Sequence, residues 1–242
     1  MEHKVKYTAF ALCLLLLSIS ACSKNEAGSG GGSAVLPGVG GNNGSGGATK
    51  AVISENDKPA DVLTRAMRAQ LDAKSYRARI ETTSPDGTAN MLVEYAAPDN
   101  YRMTGETQPG GNAKPVKMEY VIAGGATYVK VPNGQWVRSP IDAGQMIKAF
   151  RDPKMLDELA KTADVKLVGT DNIDGAPMLV YQYTQTNPLG MQLKANSKTW
   201  VAVADGLPRK TETEGEMGGK KSKTLINMSD YNADIRIEAP VK

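Results

Sequence analysis

Apolar and polar side chains alternate along most of the chain after residue 75, and this period of two residues constrains the fold more than any other feature. Tyr76, Ala78 and Ile80 alternate with charged neighbours, and the pattern returns in segments separated by short turn sequences. Such alternation places one face of each strand on a core and the other in water, as in antiparallel sheets. We therefore expect strands at 76–81, 91–95, 101–103, 116–122, 165–167, 179–183, 200–203, 209–214, 223–228 and 235–237.

Two stretches have helical spacing instead. After Pro59, apolar residues recur three or four positions apart, at Val62, Leu63, Ala66, Met67 and Leu71. Between 141 and 162 the same spacing predicts a pair of helices, 141–150 and 153–162. Strands and a few helices together predict an α+β domain over residues 57–242, with an incomplete, strongly curved antiparallel β-barrel and helices closing its concave side.

The first 21 residues have the features of a lipoprotein signal peptide. Lys4 and Lys6 precede an apolar run over 8–19, which is shorter than the ~20 residues that a membrane-spanning helix needs. Ile19-Ser20-Ala21-Cys22 has the form of a lipobox. We therefore predict cleavage before Cys22 and lipid attachment to its thiol, which anchors the exported protein to a membrane. The alternatives are an uncleaved anchor helix or a cytoplasmic protein with an apolar N-terminus.

Residues 22–56 are predicted to form the lipidated N-terminus and a flexible tether. From residue 28 to 48 the sequence is rich in Gly, Ser and Asn and has no apolar period. A flexible coil over residues 23–56 has a root-mean-square end-to-end distance of roughly 30 Å. The folded part can therefore work at a distance from its anchor.

Composition excludes several function classes. The single histidine, His3, and one of the two cysteines, Cys13, leave with the signal peptide. Histidine-dependent nucleophilic catalysis and the usual zinc sites therefore have no residues to form them. A formal net charge of +3 is too small for the basic surface of a nucleic-acid-binding protein. We expect no enzyme activity, no cofactor, no metal site and no nucleic-acid partner, although carboxylate-dependent chemistry remains open.

Acidic residues cluster near the end of the chain, where Glu212, Glu214 and Glu216 fall on one strand face. A cation site is one explanation. A Gly-Gly hairpin turn at 218–219 is the simpler one, because it would place Glu214 opposite Lys223 and Glu216 opposite Lys221.

The order of several strand and turn segments is similar to that of a known family. The segments include the turns Asp205-Gly206-Leu207-Pro208 and Ser229-Asp230-Tyr231-Asn232, together with 126–130, 134–136, 165–170, 173–175, 199–201 and 235–240. In this order the chain resembles the periplasmic lipoprotein-carrier superfamily, which includes the Lol carrier and receptor proteins and the mycobacterial LppX and LprG lipoproteins. The resemblance covers about residues 63–240. It implies an incomplete β-barrel that holds acyl chains in an apolar cavity.

Methionine is adaptable in shape, so methionines on the inward faces of strands suit a cavity for acyl chains. The candidate cavity residues are Met91, Val93, Tyr95, Met103, Val116, Met118, Tyr120, Ile122 and Met228. A filled core of the same composition is the alternative. The candidate lid is the helical pair, with Met146, Ile147, Phe150, Met155, Leu156 and Leu159, and its alternative is a fixed plug at one barrel end.

These observations lead to a functional hypothesis. We expect a monomeric, membrane-anchored lipoprotein that binds a lipid or an acylated lipoprotein and acts as a carrier or receptor in envelope trafficking. In a Gram-negative cell, Ser23 after Cys22 favours the outer membrane, facing the periplasm. The alternative is an envelope sensor or scaffold with a filled interior that binds protein partners.

The lipid anchor gives the first prediction. Replacing Cys22 by serine removes the thiol that accepts the diacylglyceryl group, so metabolic labelling with a fatty-acid analogue should be lost. The protein should also remain uncleaved or leave the membrane fraction. Equal labelling of the wild type and Cys22→Ser would rule out the anchor.

Overall fold

The computed structural model describes residues 52–111, 113–151, 163–186, 193–217 and 219–241. Within these ranges the chain forms two helices, α1 (Pro59–Asp72) and α2 (Ala143–Phe150), and eleven strands. The strands are β1 Ser75–Ser84, β2 Gly87–Ala96, β3 Asn100–Pro109, β4 Val116–Ala123, β5 Ala126–Lys130, β6 Trp136–Arg138, β7 Lys166–Ile173, β8 Ala176–Thr186, β9 Leu193–Ala202, β10 Pro208–Met217 and β11 Lys220–Ser229. No helix in the described ranges is long and apolar enough to cross a bilayer.

All eleven strands belong to one antiparallel sheet in the order β6-β5-β4-β3-β2-β1-β11-β10-β9-β8-β7. Neighbours in the sheet are also neighbours in the sequence, except that β1 pairs with β11. The sheet stays open, with β6 and β7 as its edges. The predicted fold class, a curved and incomplete antiparallel barrel with few helices, is confirmed.

Cross-strand register keeps one set of side chains on the concave face of the sheet. Met91 of β2 lies opposite Ile80 of β1 and Gly105 of β3, and Gly105 lies opposite Met118 of β4. On the other side of β1, Ile80 lies opposite Ile226 of β11. The alternation in the sequence therefore becomes continuous apolar rows that cross several strands.

Both helices lie on this face. Pro59 occupies the first turn of α1, where its missing N–H costs nothing, and Val62, Leu63 and Ala66 are buried on one stripe. Val62 and Ala66 pack against Leu179, Tyr181 and Val201 of β8 and β9. In α2, Ala143 is buried against β1–β4 and β11. The helices thus cover the two halves of the sheet.

The helical insertion begins later than predicted. The Asp142 side chain accepts a hydrogen bond from the Gln145 backbone N–H at 3.2 Å and caps α2, so the helix starts at Ala143 instead of Ile141. Ile141 lies before the cap and is 61% exposed. The predicted second helix, with Met155, Leu156 and Leu159, lies outside the described residues.

The strand set differs from the prediction at three places. The structure adds β5 and β6, which are short and carry little alternation. The predicted strand at 235–237 is wrong, because Asp230 and Asn232 take left-handed backbone conformations (φ 53° and 60°) that end β11 at Ser229. The chain then crosses the outer face of the sheet, where Ile237 is buried against Ala96, Val121 and Ala123.

The hairpin of β10 and β11 has the predicted register. Glu214 lies opposite Lys223 and Glu216 opposite Lys221. The Lys223 Nζ is 3.9 Å from a Glu214 carboxylate oxygen. Cross-strand pairing with lysine thus accounts for these carboxylates without a cation.

The folded unit starts before residue 57. Ile53 is 3% exposed and packs against Val62, Ala66 and Tyr181, while the Val52 N–H donates to the Val203 carbonyl at 2.9 Å. The sequence prediction placed both residues in the tether, because an apolar run as short as Val52-Ile53 has no period to reveal its burial.

Ile53 gives a prediction about stability. Truncation of this buried side chain in Ile53→Ala leaves a cavity beneath α1 and should lower the free energy of unfolding by about 2–5 kcal/mol. Chemical denaturation of the mature protein measures this loss. Val52→Ala is the matched control, since Val52 is 55% exposed and its loss should change stability by no more than about 0.5 kcal/mol. A change no larger for Ile53→Ala than the small change expected for Val52→Ala would show that residue 53 belongs to the tether.

Candidate functional site

The predicted cavity residues meet on the concave face of β2–β4 and β11. Seven of them belong to one buried cluster and are 2% to 9% exposed: Met91, Val93, Tyr95, Met103, Met118, Ile122 and Met228. Tyr120 is half-buried and packs against this cluster. We call this surface the methionine strip. Sequence alternation therefore placed these eight side chains on the correct face, while their role in lipid binding stays a prediction.

Val116 differs from the other eight candidates. It lies on the same face of β4 as Met118, but 52% of its surface is exposed. Val116 is the first residue of the strand, and its cross-strand partner is Thr107, which offers little apolar surface. Val116 therefore lies on the expected face but at its exposed end, and its part in lipid binding stays a prediction.

Gly105, a glycine in the middle of the methionine strip, was not identified in the sequence analysis. Gly105 lies between Met91 and Met118 in the register. A Cβ atom there would stand 2.4 Å from the Asn90 carbonyl oxygen and 2.8 Å from the Met91 Cγ. Only glycine therefore lets Met91 lie across the backbone of β3. A glycine at an inward position of an alternating strand is the signal that points to such an approach.

The concave face also carries polar side chains, on β1 and on β9–β11. Hydroxyl pairs join neighbouring strands there: Thr82 with Thr224 at 3.2 Å, Thr199 with Thr211 at 3.1 Å, and Ser197 with Thr213 at 2.9 Å. Tyr183 is buried beside them, and burial raises the pKa of its hydroxyl while hydrogen bonds with Thr199 and Ser197 lower it. Threonine and serine mark neither the apolar nor the charged positions of an alternating strand. The sequence therefore did not reveal these polar side chains on the concave face.

Tyrosines form the end of the methionine strip nearest to the C-terminus of α1. The ring centroids of Tyr76 and Tyr95 are 5.0 Å apart, as are those of Tyr95 and Tyr101, and Tyr231 stands 5.9 Å from Tyr76. Aromatic pairs at such separations stabilise each other beyond the area they bury. We call this group the tyrosine base.

An arginine lies at each end of the tyrosine base. The Arg151 guanidinium carbon is 4.2 Å from the centroid of the Tyr95 ring, and the Arg209 guanidinium carbon is 5.2 Å from that of Tyr231. Arg209 also pairs with the carboxylate of Asp205, 2.5 Å away. Arg151 donates to the Leu71 carbonyl and, at 3.1 Å, to the Tyr95 hydroxyl. Sequence reasoning did not single out either arginine, because Arg151 follows a helix and Arg209 was assigned only as the first residue of a strand.

Burial dominates the acid–base properties of this group. It raises the pKa of the hydroxyl of Tyr76, Tyr95, Tyr101 and Tyr231, while the nearby guanidinium groups act in the opposite direction. The tyrosines are therefore neutral hydrogen-bonding groups at physiological pH. Two of their hydroxyls already donate within the protein, that of Tyr95 to the Pro98 carbonyl at 3.1 Å and that of Tyr231 to the Pro208 carbonyl at 2.8 Å.

The predicted lid is described only in part. Ile147 of α2 is half-buried against the methionine strip. The Ala143 backbone N–H donates to the Thr127 hydroxyl at 3.1 Å, which joins the start of α2 to β5. Met146 and Phe150 belong to α2, but their side chains lie outside the described part, as do Met155, Leu156 and Leu159. The lid therefore stays a prediction.

No protein-family model matches the sequence, and no curated protein matches it either. Solved structures do share its fold. LprF from Mycobacterium bovis matches with a TM-score of 0.54 and 16% identity, over 75% of this chain and 96% of that chain. The Mycobacterium tuberculosis lipoprotein LppX matches with a TM-score of 0.53 and 12% identity, over 74% and 97%. The chain therefore has the fold of LprF and LppX, as its resemblance to the lipoprotein-carrier superfamily implied.

Proposed function

We propose that this chain is a membrane-anchored lipoprotein that binds the acyl chains of a lipid or lipoprotein on its concave face. In this role it acts as a carrier or receptor in envelope lipid or lipoprotein trafficking, without catalysis. The methionine strip is the observation that carries the proposal. It gathers Met91, Met103, Met118 and Met228 from four strands into one apolar surface.

Physical chemistry makes such a strip sufficient for binding. Each methylene group that leaves water contributes about 0.8 kcal/mol. Ten methylenes would therefore offset a large share of the loss of translational freedom, which costs roughly 4–15 kcal/mol. Methionine side chains adapt to a flexible chain because they are unbranched and have three rotatable bonds.

The N-terminal part of the sequence supports an envelope location. A lipid on Cys22 and a tether up to residue 51 would hold the folded unit near a membrane surface, where lipids and lipoproteins are handed over. We place the anchor in the outer membrane, facing the periplasm, in a Gram-negative cell. The shared fold with the lipoprotein LppX supports this proposal at the level of architecture.

The second candidate function is a sensor or scaffold domain that binds protein partners. Low exposure of the seven clustered residues, 2% to 9%, is the observation that favours it, because a filled interior has the same exposure. In that case the concave face holds only the protein's own side chains.

Substitution by tryptophan separates the two functions. If the methionine strip leaves room for acyl chains, Met118→Trp should fill that room, reduce uptake of a fluorescent fatty acid and change stability little. The matched control is Met178→Trp, because Met178 is 1% exposed in a cluster on the outer face, with Val180, Trp200 and Ala202. Overpacking there should lower the free energy of unfolding by about 1–3 kcal/mol and leave fatty-acid uptake unchanged.

The sensor or scaffold function predicts another pattern. Met118→Trp would then destabilise the protein as much as Met178→Trp does, and the wild type would take up no fatty acid. Native mass spectrometry of the purified protein provides an independent check, since a carrier should retain lipid from the cell.

A further inference from the structure

At the tyrosine base, one buried hydroxyl has no hydrogen-bond partner among the described residues. Within the described part of the chain, the Tyr101 hydroxyl is enclosed and makes no hydrogen bond, and the residue is 5% exposed. A buried O–H without an acceptor is unfavourable, so such a group in a folded protein needs an explanation. Tyr181 has the other such hydroxyl, but it lies beneath α1 with Ile53 and is separate from the methionine strip.

A guanidinium group lies on the ring next to Tyr101, because Arg151 is 4.2 Å from the centroid of the Tyr95 ring, which is 5.0 Å from that of Tyr101. Arg151 acts on Tyr101 electrostatically and lowers the pKa of its hydroxyl, against the larger effect of burial. The partners described for Arg151 are all neutral, namely the Leu71 carbonyl, the hydroxyl and ring of Tyr95, and the Tyr76 hydroxyl. Arginine carries five N–H donors, so the described bonds leave donors available for a ligand. The arginine at the opposite end, Arg209, already has the carboxylate of Asp205.

The hydroxyl and the guanidinium lie at the end of the apolar surface. Tyr101 belongs to the same buried cluster as Met103 and Met118, and its cross-strand partners are Tyr95 and Ile122. An acyl chain on the methionine strip therefore has one end at the tyrosine base. The nearby carboxylate of Asp99, which also acts on Tyr101, is paired with Lys148 at 3.1 Å.

We propose that Tyr101 and Arg151 bind the carboxylate of a single-chain fatty acid whose tail lies along the methionine strip. This inference rests on the proposed function and adds a direction of binding and a class of ligand. One carboxylate oxygen accepts the Tyr101 O–H, and the guanidinium supplies N–H donors and the opposite charge. A carboxylate is the smallest anionic head group of an acyl chain. It suits a site whose tyrosines, Tyr76, Tyr95 and Tyr101, are at most 9% exposed.

Paired ligands with the same tail test the proposal. The mature chain carrying Cys22→Ser is stripped of lipid and titrated calorimetrically with palmitate and with methyl palmitate, which has no charge. The wild-type site should prefer palmitate by about tenfold or more, as a hydrogen bond to a charged group implies. Tyr101→Phe and Arg151→Gln should each remove most of this preference, by lowering the affinity for palmitate much more than the affinity for methyl palmitate.

Two controls make the test specific. Arg209→Gln removes the arginine at the other end of the tyrosine base and should keep the preference for palmitate. Tyr101→Phe deletes a hydroxyl without a partner, so its melting temperature without ligand should equal or exceed that of the wild type. A clear drop in that temperature would show that the hydroxyl has a structural partner and would overturn the proposal. If Arg151→Gln does not fold, Tyr101→Phe alone decides.

The remaining outcomes separate this inference from the proposed function. Equal affinity of the wild type for palmitate and methyl palmitate would overturn the carboxylate site and leave acyl-chain binding in place. Binding of neither ligand would overturn both. A preference for palmitate that survives Tyr101→Phe would place the carboxylate elsewhere and would also overturn the assignment.

Discussion

Antiparallel pairing of β1 with β11 is the constraint on which the rest of the structure depends. Each of the other strand pairs joins neighbours in the sequence, whereas this pair joins the first and the last strand of the chain at the middle of the sheet, from Arg77 with Ser229 to Thr83 with Lys223. The pairing brings Met228 opposite Ala78 and Ile226 opposite Ile80. Without it, two separate ladders of hairpins would each expose an apolar face. The loop-closure entropy of this contact must be offset by the burial that the joined face allows.

Alternation predicted the sheet well because residues paired across neighbouring strands always point to the same face. Met91, Met103 and Met118 could be assigned to one face from the sequence, since a shift by one residue would move them all into water. Alternation does not indicate how much of a face is covered by other elements. Val116 therefore lies on the expected face although it is exposed. Ile53 is the opposite case, because it is buried without belonging to any periodic pattern.

Residues that meet only through the tertiary fold were beyond sequence reasoning. Arg151 follows α2, Tyr95 and Tyr101 come from β2 and β3, and Leu71 ends α1, yet all four lie together. No local spacing connects them. The hydroxyl pairs between β1 and β11 and between β9 and β10 are a related case, since Thr199 and Thr211 meet only through the register of β9 with β10. The sequence could therefore predict the apolar strip and its general role, but it could not predict its two polar borders.

The methionines and the tyrosines on the concave face differ in flexibility, and this difference suits a lipid site. The chain has 11 methionines and only 2 phenylalanines, although phenylalanine fills a core at a smaller loss of rotamer freedom. A methionine strip is favourable where the surface must change shape with its contents. Tyrosine has two side-chain torsions and stacks on its neighbours, so the tyrosine base is rigid by comparison. A rigid polar end next to an adaptable apolar strip fixes one end of a bound chain and leaves the length of its tail unspecified.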